Sequence, residues 1–324
     1  MDKKKFLIID TNALIHRAFH ALPPLTNKKG EVVNAVYGFL LMFLKAIQEF
    51  EPNYIAACFD MPGPTFRHKE YKEYKATRVK APDELYEQIP KIKKFLDVFK
   101  ISIFEKQGFE ADDVIASIAE KTEKKGINTI ILTGDLDILQ LVDKDTNVYA
   151  MRKGIKDMVL YDESKVLERY GLSPTQVVDL KALMGDSSDN IPGVPGIGIK
   201  TASELLQQFG TLDNVYKEVS NEENKTSFVS ALAHKSKQTS LVNLTRSFEI
   251  KPRIKKLLLE YRKQAFLSKR LAQIKKDVVV DFDLGNCEYK GYNKKEVLKM
   301  FQEYGFKSLA ERLNTKKQNV LFGR

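Results

Sequence analysis

Short apolar runs rich in branched and aromatic residues alternate with amphipathic helical stretches along the first half of the chain. Phe6 to Ile9, Tyr54 to Phe59, Ile101 to Phe104 and Thr129 to Thr133 read as strands, with weaker runs at Asn147 to Ala150 and Met158 to Tyr161. Between the first pair, Val36 to Phe50 carries helical periodicity. Strands that are apolar throughout, not on alternate positions, belong in a sheet buried on both faces. The pattern therefore predicts an α/β fold over residues 1–172, with a mostly parallel central sheet flanked by helices. From Ser173 onward the pattern changes to helices joined by glycine-rich turns. Ser173 and Pro174 form an N-cap and first-turn pair before Thr175 to Met184, and helical patterns resume at Pro252 to Ile274 and Lys294 to Tyr304. A second, mainly helical unit is expected over residues 173–313. Inside it, residues 220–247 read as a polar insertion, and residues 314–324 read as a linker or tail.

Composition narrows the class of partner. The chain has 53 Lys and Arg against 43 Asp and Glu, a net charge of +10, which points to a polyanion, nucleic acid before anionic membrane. On composition alone, charge that merely confers solubility explains the excess equally. The two cysteines, Cys58 and Cys287, stand far apart in no CxxC spacing, which argues against a disulfide scaffold and fits a reducing cytosol. The first apolar run is too short for a signal segment and ends on an aspartate, and no stretch approaches the roughly 20 apolar residues of a membrane span. A cytoplasmic protein, monomeric and without a membrane partner, is expected.

Three of the strand runs lead straight into aspartate: Asp10, Asp60, and the pair Asp135 and Asp137. In an open parallel sheet these carboxylates would share the edge where ligands bind. Glu110, Asp112 and Asp113 open the helix after EADD, and Asp186 and Asp189 follow the helix ending at Met184. Each group has an ordinary explanation, helix capping or turn chemistry. Nine carboxylates converging on one cleft would, however, repel unless cations were bound there. No histidine or cysteine accompanies them, and an all-oxygen set suits Mg²⁺ or Mn²⁺ over zinc. His16 and His20 stand at i, i+4 spacing without the HExxH glutamate and read as structural.

Two basic features complete the pattern. In FRHKEYKEYKATRVK, Arg67, Lys69, Lys72, Lys75, Arg78 and Lys80 interleave with Tyr71 and Tyr74. Cations that follow phosphates and rings that stack on bases suit single-stranded nucleic acid, although a solvated helix face explains the pattern equally well. Proximity to Asp60 favours the first reading. Gly193, Gly196 and Gly198, followed by Lys200 and Thr201, form a tight turn that opens a helix, a sequence-independent grip on a phosphate backbone.

Five stretches, IIDTNALIHRAFHALPPLTN, FDMPGPTFRHKEYKEYKATR, EADDVIASIA, ILTGDLDILQLV and LMGDSSDNIPGVPGIGIKTA, resemble in order and spacing the 5′ nuclease family, which includes flap endonucleases and the N-terminal domain of bacterial DNA polymerase I. The likeness runs from Phe6 to Leu206 and more weakly through QAFLSKRLAQIKKDV to Leu313. The resemblance implies a PIN-like nuclease core, a helical arch over residues 66–90, and a helix-hairpin-helix subdomain with its hairpin at 190–206. It implies a first metal cluster of Asp10, Asp60, Glu110 and Asp112, with Asp113, Asp135, Asp137, Asp186 and Asp189 as further acidic positions. Lys75 and Arg78 would reach the scissile phosphate, Tyr74 would contact unpaired nucleotides, and Arg17 matches a basic position near the active site. Arg67 and Lys72 join the expected DNA contacts, with Gly193, Gly196, Gly198, Lys200 and Thr201 gripping duplex and K⁺ a further ligand of the hairpin. The expected activity is two-metal-ion hydrolysis of DNA at 5′ flaps, nicks or free 5′ ends, including RNA primers in hybrids, releasing 5′-phosphate products in replication and repair. A PIN-type ribonuclease and a non-enzymatic DNA-binding module are the rival readings.

Overall fold

The computed structural model describes residues 3–155, 157–220 and 250–315, so the expected polar insertion beyond Ser220 and most of the tail lie outside the described residues. The described residues fall into two compact units, those of Met1–Glu70, Val79–Lys165 and Ile274–Arg324 in the first and those of Tyr71–Arg78 and Val166–Gln273 in the second. Among the described residues, no helix is long and apolar enough to cross a membrane.

The first unit is built on a six-stranded sheet: β1 (Lys5–Asp10), β2 (Tyr54–Phe59), β3 (Ser102–Glu105), β4 (Asn128–Thr133), β5 (Thr146–Lys153) and β6 (Asp157–Tyr161). The spatial order is β3-β2-β1-β4-β5-β6, parallel except for the last pair, which is antiparallel. Strand order reverses between β1 and β4, which opens a crevice at their carboxyl ends. The apolar runs are buried because helices cover the sheet. Those helices include α1 (Thr11–Ala21) and α2 (Asn34–Phe50), which approach so closely at Gly38 that a methyl group there would lie 2.6 Å from the Ala18 side chain.

The α2 helix starts two residues before the expected Val36, and its first N–H groups find an acceptor far away in sequence. Ala35 and Val36 donate to the Gln88 amide oxygen at 2.8 and 3.2 Å. The segment expected to form the helical arch, residues 66–90, is built of short pieces. It comprises α3 (Phe66–Glu70), turns over 72–77, α4 (Asp83–Tyr86) and the start of α5 (Ile89–Val98). Lys75 sits in the left-handed region at φ 56°, and Pro82 precedes α4, so helical continuation fails at both places.

The second unit packs α8 (Val177–Met184) and α9 (Ile199–Phe209), preceded by α6 (Ala111–Glu123) and α7 (Glu163–Tyr170) in the chain, with helical residues 212–220 and the helices Pro252–Glu260 and Arg262–Ala272. Ser173 and Gln176 form a reciprocal capping box ahead of α8, as the Ser-Pro pair predicts. The expected single helix from Pro252 to Ile274 is interrupted at Tyr261, and its last residue belongs to the first unit. Leu180, Leu183, Leu205, Leu206, Tyr216 and Leu258 are among its buried core residues.

From Ile274 the chain rejoins the first unit by a ladder of bonds onto α6 and its neighbour. Ile274 N–H donates to the Gln140 amide oxygen at 3.0 Å, Lys275 N–H to Asp113 at 2.9 Å, and Val278 N–H to Ser117 Oγ at 3.0 Å. The helices Lys294–Glu303 and Lys307–Thr315 and the turn between them then insert Phe301, Leu309 and Phe306 into the core beside Phe95 and Phe99. The sheet-bearing unit thus includes residues that the sequence pattern assigns to the helical half.

Candidate active site

Asp10 ends β1 and caps α1, accepting from Ala13 N–H at 3.2 Å and from the Thr133 hydroxyl at 2.5 Å, while only 3% exposed. The same Thr133 oxygen accepts from Asp135 N–H at 2.9 Å, which ties the ends of β1 and β4 together. Asp135 in turn accepts from Asp137 N–H at 2.9 Å at the start of a 3₁₀ turn. Asp60, just past β2, accepts from Ala111 N–H at 2.7 Å and so joins the first turn of α6, where a carboxylate meets free N–H groups. Glu110 is the N-cap of that helix, and Asp112 lies in its first turn. The topology thereby brings residues from four separate stretches together.

Their charges act on one another. Burial pushes the Asp10 carboxyl up to about 7, helped by the charges of Asp60 and Asp135 and opposed by the Thr133 bond. Asp112 is raised well above the ordinary carboxylate range by burial, then by Asp10, Asp135, Glu110 and Asp60 in that order. Among the described residues, no three acidic, histidine or cysteine side chains converge closely enough to form a ready-made metal shell. The donor chemistry nonetheless fits a hydrated hard ion: five mutually repelling carboxylates supply oxygen alone, and Mg²⁺ is commonly held through several of its own waters.

Asp113 has a different environment. It is fully buried, both its oxygens bind the Arg67 guanidinium at 2.8 and 2.9 Å, and it also accepts from the N–H groups of Glu110 and Lys275. A carboxylate so compensated has no need of a metal. Arg67, expected to touch DNA, is 2% exposed and occupied by this pair, so the expectation is corrected: burial beside Asp113 withdraws it from the surface. Lys72 is exposed in the turn region, and Arg17 is exposed on α1.

In the second unit, Asp186 and Asp189 meet cations. Burial would raise Asp186, but Lys181 and then Ser188 hold it down at about 2. For Asp189, burial is likewise outweighed, here by Lys75 and Arg78, with the Tyr74 hydroxyl donating at 2.9 Å. Tyr74 is 2% exposed and packs with Ile191 and Leu271, so its ring cannot stack on a base in this structure, contrary to expectation. Lys75 and Arg78 retain partly exposed side chains, 21% and 48%.

At the hairpin, Gly193 is also corrected from surface to interior. Its N–H donates to Ser268 Oγ at 3.0 Å, and a methyl group there would lie 2.2 Å from the Gly185 nitrogen, so only glycine at φ 61° permits the two turns to touch. Gly196, Gly198 and Lys200 are exposed and Thr201 half-buried at the start of α9, whose N-cap has no side-chain partner.

Sequence reasoning missed three supports of the acidic cluster: Thr133, Gln140 and the Arg67–Asp113 pair. Gln140 accepts from Ile274 N–H and donates to the Asp137 carbonyl at 3.1 Å, steadying the turn that carries Asp135. A threonine ending a strand before aspartate is a usable signal for the first. The other two join residues too distant in sequence to be paired by pattern.

Comparison with known proteins agrees with this architecture. Residues 5–171 match the 5′-3′ exonuclease N-terminal resolvase-like domain, and residues 172–295 match the 5′-3′ exonuclease C-terminal SAM fold. The chain is 40% identical over 312 residues to DNA polymerase I of Bacillus subtilis, covering 96% of this chain and 32% of that protein. It is 41% identical over 312 residues to DNA polymerase I of Geobacillus stearothermophilus, with the same 96% and 32% coverage. The chain spans about a third of the length of these curated relatives. In fold it is similar to a bacteriophage T5 flap endonuclease solved with DNA and metal ions, at a TM-score of 0.61 and 17% identity, covering 95% of this chain and 96% of that one. With both halves of the family matched in order over a sheet that gathers its acids at one edge, the chain belongs to the 5′-3′ exonuclease family.

Proposed function

We propose that this chain is a divalent-metal-dependent nuclease that hydrolyses DNA phosphodiesters at 5′ flaps, nicks and free 5′ ends, and RNA primers in hybrids, leaving a 5′-phosphate. The observation that carries the reading is the group of five carboxylates, Asp10, Asp60, Glu110, Asp112 and Asp135, close enough that four of them raise the fifth. Such a group relieves its repulsion either by holding protons, as the raised Asp10 and Asp112 carboxyls do, or by sharing the site with cations. Two or more Mg²⁺ ions, with Mn²⁺ as substitute, would activate water and stabilise charge at the phosphate. Asp10, Asp60, Glu110, Asp112 and Asp135 would hold them, with Asp137 completing the set at the end of β4. Asp186 and Asp189 are the further acidic positions, carried by the second unit with their charge balanced by Lys181, Lys75 and Arg78.

Lys75 and Arg78 keep partly exposed side chains beside Asp189, and a phosphate would compete with that carboxylate for both. Each adds positive charge where a phosphoryl transition state accumulates negative charge. The exposed turn at Gly196 and Gly198 with Lys200 and Thr201 would hold the duplex backbone through N–H groups, and K⁺ would sit at the same turn. Arg17 and Lys72 are the remaining exposed cations proposed to face DNA. A cytoplasmic role in replication and repair follows from that substrate class.

The test compares a 5′-flap DNA, intact duplex and single-stranded RNA with Mg²⁺ and with chelator, for the wild type and Asp135→Asn. Mg²⁺-dependent product with a 5′-phosphate from the flap, lowered about 100-fold in the variant while binding persists, is expected. Preferential cutting of single-stranded RNA would identify a PIN-type ribonuclease, and DNA binding with no product in any metal would identify a binding module.

A further inference from the structure

We propose that Lys275 binds a DNA phosphate beside the acidic cluster, an inference that rests on the nuclease reading above. Its backbone is fixed to the helix turn that carries Glu110 and Asp112, because Lys275 N–H donates to Asp113 at 2.9 Å and Asp113 is locked into the capping box of that turn. Its side chain is exposed, and the ammonium lies 4.4 Å from the centre of the Phe66 ring. That ring is itself held, packing on Phe109 at 5.8 Å between centroids.

A second cation meets the same ring, and the contrast between the two carries the argument. The Arg67 guanidinium lies 4.5 Å from the Phe66 centroid, but it is buried and its charge is matched by Asp113. Among the described residues, the Lys275 ammonium has no carboxylate within salt-bridge distance, although Glu110, Asp112 and Asp113 stand on the adjoining turn. A lysine stem is ordinarily free to wander, and an aromatic face restrains it by attraction to the ring quadrupole. The fold thus keeps one outward positive charge at a place where the surrounding wall would repel a polyanion. A lysine in that position suits a phosphate as a compact point charge.

Replacing the side chain leaves the backbone N–H and its bond to Asp113 in place, so Lys275→Gln isolates the ammonium. Binding of a 5′-flap oligonucleotide would be measured in chelator over a salt series, with Lys124→Gln as a charge-matched control, since Lys124 is exposed near the other end of α6 and paired with Glu120 at 2.9 Å. Losing one phosphate contact should reduce the slope of log affinity against log salt by about 0.7 to 0.9. Lys275→Gln is expected to show that reduction and a several-fold higher KM in Mg²⁺ with kcat retained, Lys275→Arg to restore both, and Lys124→Gln to leave the slope at the wild-type value. An unchanged slope in Lys275→Gln, or an equal fall in Lys124→Gln, overturns the proposal and leaves the nuclease reading standing. A wild type that does not bind the flap overturns both.

Discussion

At the residue scale, Asp10 shows how a candidate site opposes stability. Its carboxyl is raised from the ordinary range to about 7 in the folded chain, so the folded state holds the proton more tightly than the unfolded one. Without divalent ions, the wild type should therefore lose stability as pH rises from the usual aspartate value through about 7, by up to about 4 kcal/mol for a shift of that size. Asp10→Asn keeps one acceptor oxygen, which serves either Ala13 N–H or the Thr133 hydroxyl, and cannot ionise. Its unfolding temperature in chelator should exceed that of the wild type by a margin that widens with pH and levels off above about 7, and parallel curves would contradict the assignment. The place of Asp10 at the end of a buried strand was legible in the sequence because the apolar run stops on it. Asp113 was not, since its role depends on Arg67, 46 residues away in the chain.

At the scale of elements, the Arg67–Asp113 pair joins α3 to α6 in a place neither charge can leave. Both side chains are buried, and removing one partner leaves an uncompensated charge inside the protein. Arg67→Met should cost about 3 to 5 kcal/mol in denaturant unfolding, and the double variant Arg67→Met with Asp113→Asn, which removes the stranded charge and keeps an acceptor for one of the Glu110 and Lys275 N–H groups, should recover part of that loss. Were Arg67 a DNA contact instead, the single variant would unfold like the wild type and bind DNA more weakly. The strands were readable because continuous apolar runs fix both their type and their burial. The arch was not, because its course is decided by Tyr74, Lys75 and Arg78 converging on Asp189, more than 100 residues later.

At the scale of the molecule, the two units are interleaved in sequence: residues 71–78 belong to the helical unit, and the chain after Gln273 returns to the sheet. The change of pattern near Ser173 marks where one unit begins, but nothing local announces the return, since Val278 and Val280 are isolated buried positions among charged and exposed neighbours. The second family model stops at residue 295, whereas Val297, Met300, Phe301, Phe306, Leu309 and Leu313 lie beyond it within the core cluster of the first unit. At about 1.5 to 3 kcal/mol for each large apolar side chain withdrawn from water, the burial of these six is as large as the roughly 5 to 15 kcal/mol net stability of an entire domain. A chain stopped at residue 295 should accordingly precipitate or bind a hydrophobic dye at room temperature, whereas one stopped at residue 315 should unfold cooperatively. Trimming this chain to the span of the two family models would therefore leave its interior unsealed, because the plug that closes it is supplied by residues 297–313.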